Sequence, residues 1–272
     1  LNPDLDFLLG NHLSNKMYLG IWSDLPRHLN DLKNQINNDE IIIVPFALLG
    51  LIDNPEIQRK NTEAFTSKVY PQSHSFPAIG IYPKHKKIRI AYFSSDFHNH
   101  ATMHLMVELF ECHDKLLFEL IAFSFGPDKQ DQWRQRASLC FDKFKYVGLK
   151  SDREISLLAR KMEIDIAIDL KGYTQDARPN IFAEGCAPIQ LSYLGYPGTM
   201  GAKYMDYLIA DRTLIPEEKK HHYLEKIVYM PNSYQVNMSN REVSKNSLLR
   251  DEFGLPSKGF VFCCFNNSYK IT

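Results

Sequence analysis

Residues 88–106 read I-R-I-A-Y-F-S-S-D-F-H-N-H-A-T-M-H-L-M, and the rest of the chain is organised around them. Residues 88–93 are a short apolar, β-branched run of the kind that forms a buried strand, and from Thr102 onward apolar residues recur at helical spacing. Between the two, residues 94–101 hold two hydroxyls, a carboxylate, an amide and two imidazoles on residue types suited to turns. A parallel α/β sheet puts such a turn at the carboxyl end of a strand and aims the next helix N-terminus at whatever binds there. The stretch therefore reads as an active-site loop. His100 and His104 have the i,i+4 spacing of a zinc pair, but no Glu follows the first His and no Cys lies nearby. An acid/base or hydrogen-bonding role is favoured, and no metal is expected.

From residue 87 onward, strand-like runs alternate with helical ones. Strands are expected at 88–93, 118–124, 165–170, 189–193, 206–210 and 226–229, and helices at 103–112, 131–139, 152–162, 178–184 and 216–223. That alternation predicts an α/β fold built on a doubly wound, mostly parallel sheet. The loops 94–101, 125–131, 171–178 and 194–201 then share one rim. In the third, Gly172 and Thr174 could offer backbone amides and a hydroxyl to an anion or a sugar oxygen. The fourth packs three glycines and a proline into 195–201, which fits either close approach to a ligand or a plain tight turn. It is not G-x-G-x-x-G and does not open the first βα unit, so a dinucleotide site has no support.

Before residue 87 the pattern is helical. Leu5, Leu8, Leu9, Leu13 and Met17 define one helix ending near Gly20, and Leu25, Leu29, Leu32 and Ile36 define a second that carries Pro26 in its first turn. A compact apolar segment follows at 41–50 and another helix at 56–69. A helical pair cannot bury its own face, so this part reads as the trimmed end of a longer helical array. At the other end, residues 260–265, F-V-F-C-C-F, read as a strand with no following unit to cover it, as at the start of a second α/β domain. Lys270 would lie at the entrance to that lobe, or simply be an exposed lysine.

With 272 residues, 44% hydrophobic, 24% charged and a net charge of zero, the chain suits one large or two smaller globular domains. No basic surface argues for nucleic acid or an anionic membrane as partner. Five cysteines without C-x-x-C spacing fit a reducing compartment, and no signal-peptide pattern or long apolar run is present, so a cytoplasmic protein is expected. Oligomeric state is not legible.

Seven motifs occur together and in order: S-S-D-F-x-N-H-x-T-x-H-L-M at 94–106, G-Y-T with A-R at 172–178, A-P-I-Q at 187–190, L-G-Y-P-G-T at 194–199, M-D-Y at 205–207, Y-M-P at 229–231 and F-N-x-x-Y-K-I at 265–271. In these the chain resembles the catalytic region of the O-linked N-acetylglucosamine transferases and their SPINDLY-type relatives, glycosyltransferase family 41. The resemblance implies a GT-B architecture: residues 1–86 as tetratricopeptide-end and linker helices, 87–240 as the N-terminal Rossmann-like lobe, and 241–272 as the start of a largely missing C-terminal nucleotide-sugar lobe. It implies an inverting, metal-independent enzyme that needs no cofactor and moves GlcNAc from UDP-GlcNAc to Ser or Thr hydroxyls of proteins. The stretch from 1 to 272 would be inactive alone. SPINDLY-type relatives use GDP-fucose through similar motifs, and a catalytically silent helical scaffold is the third alternative.

By the same resemblance, His100 and Asp96 belong to the catalytic centre. Thr102, Thr174, Leu194, Gly195 and Asn267 lie on the donor side, and Lys270 neutralises the departing diphosphate. The chemistry is consistent, since displacement at the anomeric carbon builds negative charge on the leaving group while the attacking hydroxyl loses a proton. An imidazole could take that proton or position the sugar, and a carboxylate could orient the imidazole or receive the proton through water. The chain departs from animal relatives at Phe46 and Ala47, where they carry a His pair, and at Gln175-Asp176, where an acid replaces Gly, and it has Ala101 where the family often has Pro.

Overall fold

The computed structural model describes residues 7–239, 241, 245–246 and 248–270. Leu5 of the first expected helix and Ile271 of the last motif lie outside the described residues. Four helices come first: α1 (Leu8–Tyr18), α2 (Leu25–Asn37), α3 (Pro45–Leu49) and α4 (Pro55–Val69). The first closes at Gly20, whose N–H donates to the Met17 carbonyl while Ile21 reaches back to Lys16. Pro26 sits in the first turn of α2, and Asn54 caps α4 by accepting from the Ile57 amide at 3.1 Å. Leu13, Met17, Leu32, Ile36, Ile43 and Leu48 form their own buried cluster, so the helical periodicity read from the chain does point at a core.

The sheet has seven parallel strands, β1 (Ile88–Ser94), β2 (Phe118–Ser124), β3 (Lys143–Tyr146), β4 (Ile166–Asp169), β5 (Ile189–Ser192), β6 (Tyr207–Ala210) and β7 (Lys226–Tyr229), in the order β3-β2-β1-β4-β5-β6-β7. Helices α5 (Ala101–Cys112), α6 (Gln132–Cys140), α7 (Asp152–Lys161) and α8 (Asn180–Ala183) connect them, and the last expected helix is a 3₁₀ turn at Glu217–His222. This is the Rossmann-like order, buried on both faces. Along β1 and β2, Ala91, Phe93, Ile121 and Phe123 enter one core while Ile90, Tyr92, Leu120 and Ala122 enter the other. Phe93 and Phe123 are register partners whose rings stack with centroids 4.6 Å apart.

Two expectations need correction. The sequence gives no sign of β3, because K-F-K-Y is an edge strand with only Phe144 turned partly inward and so lacks the apolar run of its neighbours. Residues 260–265 form no strand: they pair with nothing among the described residues, and Phe260, Phe262 and Phe265 are 83%, 90% and 98% exposed. Strand-forming residue types need a neighbouring edge to satisfy their backbone, and none meets them. Beyond them, residues 268–270 make a short turn on α1, with Tyr269 packed against Tyr18 at 4.7 Å and the Ser268 hydroxyl donating to the Tyr18 carbonyl. No helix among the described residues is long and apolar enough to cross a membrane.

The segment between α4 and β1 is fastened by His85. Its Nδ1 faces Asp165 and its Nε2 faces Glu163, each at 3.0 Å, and Arg89 also reaches Glu163. The hydrogen bonds to Asp165 and then Glu163 raise its pKa above the ordinary 6.5. The folded state therefore holds the proton more tightly than the unfolded one. The stabilisation is fully present below pH 6.5 and is lost as pH rises through the raised value. His85→Ala is expected to lower Tm clearly at about pH 6 and hardly at about pH 9; a Tm deficit independent of pH would show that the ring acts by packing alone.

Candidate active site

Strand order reverses between β1 and β4, the position at which the loops of a doubly wound sheet diverge to opposite faces and a ligand crevice forms. The loop after β1 is set by an apolar plug. Phe97 is fully buried, with its ring edge-on to Phe141 at 5.6 Å and Phe144 at 5.4 Å, which turns its polar neighbours toward the rim. The Asp96 amide donates to Ser94 Oγ at 2.9 Å. The Asn99 amide donates to Asp131 Oδ2 at 2.7 Å, while Asp131 Oδ1 caps α6 through Trp133 and Arg134. The loop after β2 joins the same rim, where Gly126 passes so close that a Cβ would lie 1.9 Å from the Ser95 carbonyl oxygen.

Asp96, His100 and Thr102 come together at this rim, and a fourth group completes them. Lys171 Nζ, from the loop after β4, meets Asp96 Oδ2 at 2.7 Å, with the two side chains only 6% and 8% exposed. Ser95 Oγ donates to the other carboxylate oxygen at 2.9 Å. His100 is the N-cap of α5: its Nδ1 accepts the Thr102 amide at 3.2 Å, lies 3.1 Å from Thr102 Oγ1, and is 3.5 Å from Asp96 Oδ2. The imidazole is 43% exposed. Its pKa is lowered first by desolvation and further by Lys171, against the opposing pull of Asp96, and the net lowering favours the neutral ring.

Sequence reasoning misses Lys171, because a lysine directly after a buried strand reads as a solvated loop residue. Only the strand order shows that the loop it opens faces the carboxylate of the loop after β1. Asp169, at the end of β4, shapes that turn by accepting from the amides of Lys171 and Gly172, and burial pushes its pKa up to about 6.

Leu194 and Gly195 occupy the adjoining loop. Leu194 has a left-handed φ of 69°, and a Cβ on Gly195 would fall 1.9 Å from the Leu170 carbonyl oxygen, so the loop rests directly on the end of β4. Buried Glu225 holds the same loop through the Thr199 hydroxyl and the Met200 amide. Thr174 spends its hydroxyl on the Lys171 carbonyl at 2.8 Å. Asn267 and Lys270 are not bonded to this cluster. Their turn lies on α1, where the Lys270 ammonium donates to Asn266. His104 turns away from His100, donating to Asn99 Oδ1 and packing on Trp133 with centroids 4.0 Å apart.

A cavity of about 430 Å³ opens beside the cluster, between α1, α3, α4 and the loop after β4. Its walls include Tyr18, Phe46, Ala47, Tyr70, Tyr173, Thr174, Asp176 and Tyr269, and among the described residues Asp176 is the one charged side chain that lines it. Asp96 and His100 lie outside that wall. The two places share one loop, which sends Lys171 to Asp96 and Tyr173 to Asp176 to the cavity. Tyr173 anchors it, with its hydroxyl 2.5 Å from the Thr66 hydroxyl of α4 and donating to the Met200 carbonyl. Gly195→Ala cannot be accommodated beside the Leu170 carbonyl without backbone movement, so chemical denaturation should show a loss of about 1–3 kcal/mol; an unchanged midpoint would mean that the contact yields freely.

The sequence profile of Glycosyl transferase family 41 matches residues 66–241. An Arabidopsis thaliana protein described as a probable UDP-N-acetylglucosamine–peptide N-acetylglucosaminyltransferase SEC is 40% identical over 191 residues, covering 68% of this chain and 20% of its own length. A Solanum lycopersicum protein, described as a probable UDP-N-acetylglucosamine–peptide N-acetylglucosaminyltransferase SPINDLY, is 26% identical over 209 residues, covering 75% of this chain and 22% of its own. A mutant O-GlcNAc transferase of Thermobaculum terrenum superimposes with a TM-score of 0.67 at 24% identity, over 83% of this chain and 45% of that one, a likeness of fold. The chain spans about a fifth of the length of these curated relatives.

Proposed function

This chain belongs to glycosyl transferase family 41, and from that premise we infer that it carries the N-terminal catalytic lobe of an inverting protein O-glycosyltransferase. The donor is UDP-GlcNAc and the acceptor a Ser or Thr hydroxyl of a protein, in line with the activity named for the Arabidopsis relative. The observation that carries this reading is the meeting of Asp96, His100, Thr102 and Lys171 at the carboxyl ends of β1 and β4, with Gly195 resting on the end of β4. A neutral imidazole and a paired carboxylate at a topological switch point suit a reaction that positions a sugar phosphate and manages one proton.

In this reading, residues 1–86 are the end of a helical array that presents protein acceptors, residues 87–240 are the lobe with the chemistry, and residues 241–272 begin the lobe that grips the nucleotide. His100 and Asp96 act at the reacting centre, and Thr102, Thr174, Leu194 and Gly195 line the donor side. Asn267 and Lys270 reach the nucleotide and its diphosphate once the second lobe is in place, where a fixed ammonium stabilises the charge that develops on the leaving group. Five unpaired cysteines accord with a cytoplasmic setting. The second reading, transfer of fucose from GDP-fucose, rests on the resemblance of this lobe's motifs to those of SPINDLY-type relatives, although the Solanum lycopersicum SPINDLY protein is itself described as a probable N-acetylglucosaminyltransferase.

In the protein extended through its second lobe, His100→Ala is expected to lower transfer by about 10²–10³, with a loss of stability limited to that of a helix N-cap, about 1 kcal/mol. Unchanged turnover would remove His100 from the reaction. Calorimetric titration with UDP-GlcNAc and GDP-fucose separates the two donors, and a full-length protein that moves neither sugar onto peptides would remove the function itself.

A further inference from the structure

We propose that Lys171 is a positioning residue that sets the tautomer of His100, so that the imidazole presents an Nε2–H donor to the crevice and is not the group that takes the acceptor's proton. An imidazole beside a free carboxylate adopts the other form, with Nδ1–H directed at the carboxylate and a lone pair on Nε2 ready to accept a proton. His100 has a carboxylate at the right place, Asp96 Oδ2 at 3.5 Å from Nδ1. That oxygen is already taken by the Lys171 ammonium at 2.7 Å, in a pair withdrawn from solvent, and the second oxygen accepts from Ser95.

Nδ1 meanwhile is the target of the Thr102 amide at 3.2 Å. That amide belongs to the first turn of α5, where no intrahelical partner exists for it, and the helix fixes its direction. A proton on Nδ1 would oppose it. The Thr102 hydroxyl, 3.1 Å from Nδ1 and 3.4 Å from Asp96 Oδ2, can donate to either without requiring one. The proton of the neutral ring therefore sits on Nε2, which makes no hydrogen bond among the described residues. The charged and titratable groups around the ring are Asp96 and His98 on its own loop, Lys171 on the loop after β4 and His104 on α5. The ammonium cancels the one carboxylate among them. Without Lys171, Asp96 would draw the proton to Nδ1 and turn Nε2 into a base.

The consequence for catalysis rests on the proposed glycosyl transfer; the protonation geometry does not. Histidine-selective ¹⁵N NMR of the protein, with His100→Gln identifying the resonance, reads the tautomer and the titration midpoint with no donor present. The wild type is expected to show Nε2–H. Lys171→Met is expected to move the proton to Nδ1 and raise the midpoint, and Lys171→Arg to restore both. A wild-type Nδ1–H, or a Lys171→Met protein with tautomer and midpoint unchanged, overturns the proposal. If Lys171→Met does not fold, Lys171→Gln decides: a proton that moves to Nδ1 with a raised midpoint supports the proposal, and a tautomer and midpoint unchanged from the wild type overturn it. Transfer assays on the same full-length wild type test the enzymatic reading separately, since an inactive protein with the expected spectra would sink that reading and leave this one standing.

Discussion

The geometry of this lobe depends on the pairing of β1 with β4. Residues 90 to 93 register with 166 to 169, so two strands far apart in the chain end side by side, and their loops confront one another across the reversal in strand order. The buried contact between Asp96 and Lys171 exists only because of that register. Removing one member would leave a charge stranded away from water, which typically costs about 3–5 kcal/mol. A slip of one residue would also turn every side chain of β4 to the opposite face and exchange the two cores. Register and site are thus specified by the same hydrophobic alternation.

Much of this is legible in the chain. The apolar runs of β1, β2, β4, β5, β6 and β7 stand out because a parallel sheet buries both faces of each strand, and the polar rim follows from where those runs end. Asp96, His100 and Thr102 share one short turn, so their proximity can be read without knowing the fold. Lys171 cannot be read, because its meaning depends on which strand neighbours which, and no local pattern carries strand order. The edge strand at 143–146 is hidden for a related reason, since an exposed edge has no need of the apolar signal that betrays a central strand. The run at 260–265 errs in the opposite direction: its residue types favour a sheet, yet among the described residues no edge receives it.

The helical part is bound to the sheet through polar contacts as well as packing. Thr66 of α4 meets Tyr173 and the Met200 carbonyl, so one helix touches the loops after both β4 and β5. The aromatic cluster of Phe65, Tyr70, Tyr173 and Tyr196 continues that junction, with ring centroids 5.4 to 5.9 Å apart. One wall of the cavity between helices and sheet is therefore tied to both loops by hydrogen bonds and ring contacts.

Phe97 shows how a buried ring can govern a surface imidazole. It carries no polar atom and meets no ligand, yet its seat among Phe110, Phe141 and Phe144 determines the tilt of everything from Asp96 to Thr102. Shrinking that ring would leave each reactive atom in the sequence and misaim all of them together. Kinetics would then report a chemical defect whose origin is a void, and a survey confined to polar residues would never find it.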